Sequence, residues 1–156
     1  MNEFESKIKE FFYNIGNHKT MVLSTSFNDK VTSRMMSVIL FDEKFYFQTD
    51  MTFRKYEQMK NNPNVALCID NIQVEGICRE IGRPQDNSDF CRLYQENFSG
   101  SYELYSGLQN ERLFEIIPTY IQKWIYEDGK PFVEALDFEN KIYSKQEYIC
   151  DWKRKD

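Results

Sequence analysis

Between Phe45 and Leu67 the chain reads FYFQTDMTFRKYEQMKNNPNVAL, and within it Thr49, Thr52, Arg54 and Lys55 gather two hydroxyls and two cations. The hydrophobic period changes there from two to about three and a half. Phe45 and Phe47 alternate with Tyr46 and Gln48 as in a half-buried strand, and Tyr56 and Met59 form the inward stripe of a helix that ends before Pro63. Thr52 is the expected N-cap. A helix start presents unpaired backbone N–H groups and a partial positive charge, so Arg54 and Lys55 in the first turn oppose the dipole and cost stability unless an anion compensates. A phosphate can compensate, accepting from the N–H groups, the Thr49 and Thr52 hydroxyls and both cations. Two solvated charges on an exposed helix explain the same pair, and this segment alone leaves both readings open.

Other reactive groups are sparse. His18 is the single histidine, and Cys68, Cys78, Cys91 and Cys150 are scattered without a CxxC rhythm. One histidine with such cysteines makes no zinc site, and no serine or cysteine motif marks His18 as half of a triad. The cysteines read as small apolar packing residues. No side chain is assigned as a catalytic residue or metal ligand, and the chemistry is expected to belong to a bound cofactor.

The elements that must position these residues follow from pattern and punctuation. Phe4, Ile8, Phe11, Phe12 and Ile15 predict an amphipathic helix over residues 3–15, stopped by Gly16 and Asn17. Strands are expected at Lys19 to Ser26, Val31 to Phe41 and Phe45 to Thr49, joined by the polar turns Asn28-Asp29-Lys30 and Asp42-Glu43-Lys44, an antiparallel meander. After the basic helix come strands at Val65 to Ile69 and Ile72 to Ile81, the second interrupted by Gly76, which predicts a bulge or close backbone approach. Pro84 to Phe98 reads as helix with Asp86 as a cap, and Ser99 to Leu108 as a loop or short helical turn. Arg112 to Tyr126 reads as a strand that Pro118 confines to an edge or bulge, and Asp128-Gly129 as a hairpin turn into Pro131 to Phe138. The charged C-terminal residues are expected to be loosely held.

At 156 residues the chain is expected to be one domain over 1–156, with a core that needs neither disulfides nor metal. The 13 Phe, 10 Tyr and 2 Trp favour a strand-rich fold. The expectation is a mainly β (α+β) architecture, a six- or seven-stranded antiparallel barrel with peripheral helices. A net charge of −5 offers nucleic acid no overall attraction. No apolar run reaches membrane-span length and no signal-peptide core follows Met1, so no membrane partner and a cytoplasmic location are expected.

Four pieces in order resemble the FMN-binding split barrels related to pyridoxamine 5′-phosphate oxidase. Arg34-Met35-Met36-Ser37 is similar to that family's strand arginine followed by apolar residues, and Thr49-Asp50-Met51-Thr52-Phe53-Arg54-Lys55 to its Thr-Asn-x-x-Ser-Arg-Lys phosphate turn. Asn61-Asn62-Pro63-Asn64-Val65-Ala66-Leu67 with Val74-Glu75-Gly76 resembles its next two strands, and Ile121-Gln122-Lys123-Trp124 an Ile-x-x-Trp element. The resemblance implies a Greek-key split barrel with FMN at a homodimer interface. It implies that Arg34 and Lys55 hold the phosphate with help from Thr49, Thr52 and Arg54, beside Gln48. It also implies that Met35, Met36 and Ser37 pass along the flavin, that Asn71 offers an amide, and that Trp124 reaches the flavin edge from the partner subunit. With the family in view, the phosphate reading of Arg54 and Lys55 is preferred. Arg34 is the firmest of the set, because a guanidinium buried in a sheet without an anion costs roughly several kcal/mol.

Departures narrow the implied activity. Ile39 stands where the oxidases carry a lysine for pyridoxal phosphate, their Arg-x-His pair and C-terminal Arg-Leu-x-Pro have no counterpart, and Phe53 replaces the turn serine. A second phosphate thus lacks a cradle, so oxidation of pyridoxamine phosphate is not expected. The leading expectation is an oxidoreductase in which FMN takes electrons from a reduced nicotinamide and passes them to a small nitro or quinone acceptor, as in the general-stress and nitroimidazole-resistance branches. A non-enzymatic flavin carrier or redox-responsive module is the alternative. A more distant alternative is a haem-binding barrel with His18 as axial ligand.

Overall fold

The computed structural model describes residues 1–149, so Cys150 and the last charged residues fall outside the description. The first helix, α1 (Glu3–Ile15), begins with a capping box in which Asn2 and Glu5 each accept from the other's backbone N–H, and ends at Gly16 with φ +86°. It buries Phe4, Ile8, Phe11 and Ile15, each worth roughly 1.5–3 kcal/mol of apolar transfer.

Strands β1 (His18–Phe27), β2 (Lys30–Phe41) and β3 (Lys44–Asp50) form the expected meander. Its turns are two residues long, with Asn28, Asp29, Asp42 and Glu43 all at φ between 51° and 62°, the conformation that suits the twist of tight hairpins. Helix α2 (Arg54–Asn61) follows, then β4 (Asn64–Ile69) and β5 (Ile72–Glu80). The long β6 (Glu111–Glu127), β7 (Lys130–Asp137) and β8 (Ile142–Glu147) complete one sheet, in the order β3-β2-β1-β4-β5-β6-β7-β8. β3 also pairs with β6, which closes the first six strands into an antiparallel barrel. Because β4 returns to lie beside β1, the order 4-1-2-3 makes a Greek key.

Three sequence expectations change. β6 is a central strand, not an edge: it pairs with β3, β5 and β7 along successive parts of its length. Pro118 is tolerated because it faces Gly76 where the β5–β6 register shifts, so the bulge half of the expectation holds. A Cβ at Gly76 would meet Ile116 Cγ2 at 2.5 Å and the Ile117 carbonyl oxygen at 2.8 Å, which is the close approach expected there. Second, residues 142–147 form β8 rather than a loose tail. Third, Asp86 is not the helix cap: a 3₁₀ turn (Pro84–Asp86) precedes α3 (Ser88–Asn97), and Asn87 accepts from the Phe90 N–H at 2.9 Å. A short helical turn (Ser99–Ser101) then runs into a π-helical stretch (Tyr102–Ser106).

The main core fills the barrel with Met21, Leu23, Val38, Phe45, Phe47, Leu67, Val74, Phe114, Ile116 and Ile121, all nearly inaccessible to solvent. A second cluster lies outside the wall, where Phe90, Leu93 and Tyr94 of α3 cover Ile39, Tyr46 and Leu113. β2 meets β3 at only three pairs, Ile39 with Tyr46, Leu40 with Phe45 and Phe41 with Lys44. From Lys30 to Val38 one edge of β2 therefore has no strand beside it among the described residues, and the barrel wall is split between that edge and residues 47–50 of β3.

Candidate cofactor site

The split is flanked by the start of α2. Asp50, Met51, Thr52 and Phe53 turn the chain out of β3, and Phe53, not Thr52, occupies the N-cap position, without a side-chain hydrogen bond to the helix. The Thr52 hydroxyl and N–H both donate to Asp50 Oδ1 at 2.7 Å, which draws that hydroxyl away from the helix end. The same bonds hold the Asp50 carboxyl below the usual carboxylate range. The first turn of α2 thus keeps its open N–H groups while carrying Arg54 and Lys55.

Arg34 projects from β2 toward the barrel side, level with Leu23. Its Nη1 donates to the Leu23 carbonyl at 3.2 Å and to the Thr25 hydroxyl at 2.8 Å, and its Nη2 donates to the Thr32 hydroxyl. A guanidinium has five N–H donors. The remaining pair, Nε–H and the second Nη2–H, is the side-on fork that matches two oxygens of a phosphate, and it has no protein acceptor among the described residues. Lys55 lies close: burial and then the charge of Arg34 push its ammonium down, while burial and then Arg54 push Arg34 down. Among the described residues none of these three cations is in a salt bridge. Lys55 Nζ instead rests 4.7 Å from the centre of the Phe53 ring.

Beside them, Gln48, Thr49, Asp50, Phe53, Lys55, Tyr94, Tyr105, Leu108 and Glu111 line a cleft of ≈ 360 Å³. Thr49 is buried and its hydroxyl has no hydrogen-bond partner among the described residues, an orphan that an incoming acceptor would satisfy. Gln48 is buried too, but its Oε1 accepts from Ser106 Oγ at 2.6 Å, which ties the π-helical stretch over β3. Along the open β2 edge the side chains alternate. Met35 is exposed, Met36 packs against the core, and Ser37 lies near Tyr94, whose hydroxyl is pushed up mainly by burial.

The other two expected contacts lie elsewhere. Asn71 and Trp124 are brought to each other: Asn71 Nδ2 donates to the Trp124 carbonyl at 2.9 Å, and the Trp124 N–H donates to the Asn71 carbonyl at 3.2 Å. The Asn71 amide N–H is thereby engaged by backbone. Trp124 packs against Tyr126 and Tyr148 on the same sheet face as Gln122, which is level with Met35 through Gln73, Cys68 and Val22. His18 is exposed at the start of β1, bonded to Asn17, and lies roughly 17 Å along the strand from the Arg34 level.

Two features of the site escape the sequence reading. Gln58 sits on the inner stripe of α2, buried, and its Oε1 accepts from Thr25 at 2.6 Å and Thr32 at 2.8 Å. A polar residue one position from the inward Met59 is the signal that could have marked it. Glu111, opposite Asp50 on β6, is buried in the cleft, and burial followed by the Asp50 charge pushes its carboxyl up to about 7. That pairing joins residues far apart in sequence and has no local signature.

The residues present fit a phosphate-bearing cofactor: an open guanidinium fork, two further cations outside any salt bridge among the described residues, an uncapped helix start and an orphan hydroxyl converge at one split in the wall. The comparisons agree with the fold. General Stress Protein 26 from Bacillus anthracis is 27% identical, with 77% of this chain and 92% of that one covered at a TM-score of 0.57. A pyridoxamine 5′-phosphate oxidase-related, FMN-binding protein from Nostoc punctiforme is 14% identical, with 94% of each chain covered at 0.60. HutZ, the heme storage protein from Vibrio cholerae, is 19% identical, with 75% of this chain and 91% of that one covered at 0.56. No curated protein sequence matches significantly. The sequence pattern of one family, described as pyridoxamine 5′-phosphate oxidase, matches residues 4–125, and the chain belongs to that family.

Proposed function

We propose that this protein binds FMN at the β2–β3 split and acts as an oxidoreductase, passing electrons from a reduced nicotinamide to a small nitro or quinone acceptor. The observation that carries the reading is the open fork of Arg34 beside Lys55 and Arg54, three cations that enter no salt bridge among the described residues. The phosphate goes to the fork, Lys55, Arg54 and the Thr49 hydroxyl, and the unpaired β2 edge from Met35 to Ser37 offers backbone groups to a flat heterocycle. Bound flavin supplies the hydride and electron chemistry, and the protein supplies binding, orientation and exclusion of water. Glu111 is the group in the cleft poised to hold or release a proton near neutral pH.

A second copy of the chain completes the site in this reading. The outer sheet face leaves Val31, Met35, Ile77, Ile117 and Trp124 exposed, and Met35 and Trp124 share that face. Apolar surface of this kind favours a homodimer in which Trp124 of one subunit approaches the flavin of the other. The haem alternative gains little support from the site, since His18 lies well away from the split.

The test is uptake of FMN by the purified protein, followed by its visible spectrum, by sedimentation, and by turnover of reduced nicotinamide with nitroaromatic and quinone acceptors. Flavin bands, a dimer and steady turnover are expected. Bound flavin without turnover would leave a carrier, a Soret band would favour haem, and a protein that takes up neither would end the cofactor reading.

A further inference from the structure

The proton bookkeeping around Arg34 leads to a neighbour that touches neither the fork nor the cleft. Arg34 can only donate, so the Thr25 and Thr32 hydroxyls must each accept from it. Each hydroxyl has one hydrogen left to give; the two oxygens are 3.3 Å apart, and the shorter bond of each leads instead to a single atom, Gln58 Oε1, at 2.6 and 2.8 Å. The amide oxygen has two lone pairs and takes both. Thr25 and Gln58 are almost wholly buried, so water does not substitute for either bond. The chain of bonds runs one way, from guanidinium through two hydroxyls to one acceptor on α2, and it fixes the plane of the guanidinium.

The choice of amide matters as much as its position. A glutamate at this place would accept the same two hydrogens but would bring a carboxylate within one hydroxyl of Arg34, in a site with little solvent to screen it. Its charge would satisfy the guanidinium from inside. Glutamine holds the fork without neutralising it.

We infer that Gln58 is a positioning residue for the phosphate site: through Thr25 and Thr32 it locks the Arg34 fork toward the split, and as a neutral acceptor it reserves the charge of Arg34 for the anion. This inference rests on the proposed FMN site. It predicts a specific signature, a loss of preference for the phosphorylated flavin. FMN and riboflavin carry the same ring, so the ratio of their affinities isolates the phosphate contribution.

Both flavins are titrated into wild type, Gln58→Glu, Gln58→Leu, Thr32→Val and Arg34→Ala by quenching of flavin fluorescence, with melting curves for each. Wild type is expected to prefer FMN, and Gln58→Glu to cut that preference by about tenfold or more while its riboflavin affinity stays within about twofold. Thr32→Val, which keeps shape and removes one of the two links, should lose part of the preference even if Gln58→Leu fails to fold. A purely structural glutamine would lower melting temperatures and leave the ratio untouched. An unchanged ratio in Gln58→Glu and Thr32→Val, with Arg34→Ala reduced, would overturn the inference and spare the FMN site. A wild type without preference for FMN would overturn the phosphate site itself, and the inference with it.

Discussion

Two clusters of charge border β3, and they are built on opposite plans. On the outer face Glu115 of β6 is buried and bridges Lys44 Nζ at 3.5 Å and Arg79 Nη2 at 2.5 Å, so the carboxylate is answered twice within the fold. The hydroxyl of Tyr46 nearby is pushed up to about 12, by burial first and the Glu115 charge second. At the split, Arg34, Arg54 and Lys55 press on one another and enter no salt bridge among the described residues. The sequence holds 25 acidic residues against 20 basic ones, so shortage of carboxylates does not explain the difference. A cluster closed internally serves the fold; a cluster left open keeps its charge for something that arrives from outside. The open one carries a cost in repulsion, which an anion would repay.

The sharpest break of this comparison is Arg34→Ala. Removing a charge-assisted bidentate donor should weaken FMN by about 100-fold, equivalent to roughly 2–3 kcal/mol. The melting temperature should move little, since the lost hydrogen bonds are partly offset by relief of repulsion from Arg54 and Lys55. Fluorescence titration and thermal melting measure the two effects separately. A variant with unchanged FMN affinity would place the phosphate elsewhere.

Glu115→Gln makes the opposite prediction. Both of its partners are partly solvated, Arg79 by two-thirds, so the loss is modest, about 1 kcal/mol or roughly 2–4 °C in melting temperature. FMN affinity should stay within about twofold. If Glu115→Gln disturbed binding as much as Arg34→Ala does, the distinction between a closed and an open cluster would fail.

Much of this contrast is legible in the sequence, and the remainder is not for identifiable reasons. Hairpin strands are readable because Asn28-Asp29, Asp42-Glu43 and Asp128-Gly129 punctuate alternating runs, and a two-residue turn at Asn28-Asp29 fixes the partners of β1 and β2 outright. That register puts Thr25 opposite Thr32 and Leu23 opposite Arg34. Reading the turn as three residues slips it by one and hides the hydroxyl pair that holds the guanidinium. Thr52 fits the N-cap pattern by type, yet its hydroxyl and N–H both donate to Asp50 two residues earlier, a local turn that swings the hydroxyl oxygen away from the helix N–H groups it would accept from, and Phe53 takes the cap position. Pro118 argues for an edge or a bulge because proline lacks a ladder donor, and the fold takes the bulge, against Gly76 in mid-sheet. β8 carries too little apolar alternation to announce itself; it is held by β7 and by Tyr143, whose hydroxyl donates to Glu134 at 2.7 Å. Glu111 meets Asp50 only when β6 closes the barrel against β3.

Glu111 gives the smallest and most discriminating effect because, of the two acids that line the cleft beside Lys55, Asp50 and Glu111, it is the one whose carboxyl is pushed up toward neutral pH. Its folded carboxyl titrates near 7 against an ordinary value of 4.5. A raised acid contributes stability in full below the unfolded value, and that contribution is lost as pH rises through the folded one, here between 4.5 and about 7. Wild type should therefore lose stability across that window relative to Glu111→Gln, whose amide does not ionise. Binding follows the same sign. Above pH 7 the ionised Glu111 faces Lys55 and competes with an incoming phosphate, so FMN affinity should fall by about three- to tenfold between pH 6 and 8, against the gain expected from the second ionisation of the phosphate itself. In Glu111→Gln only that gain should remain. Titrations of both proteins at pH 6, 7 and 8, with proton uptake on binding measured at pH 7, separate the two contributions. Parallel pH profiles for wild type and Glu111→Gln would mean that Glu111 does not sense the anion, and that the open cluster ends at Lys55.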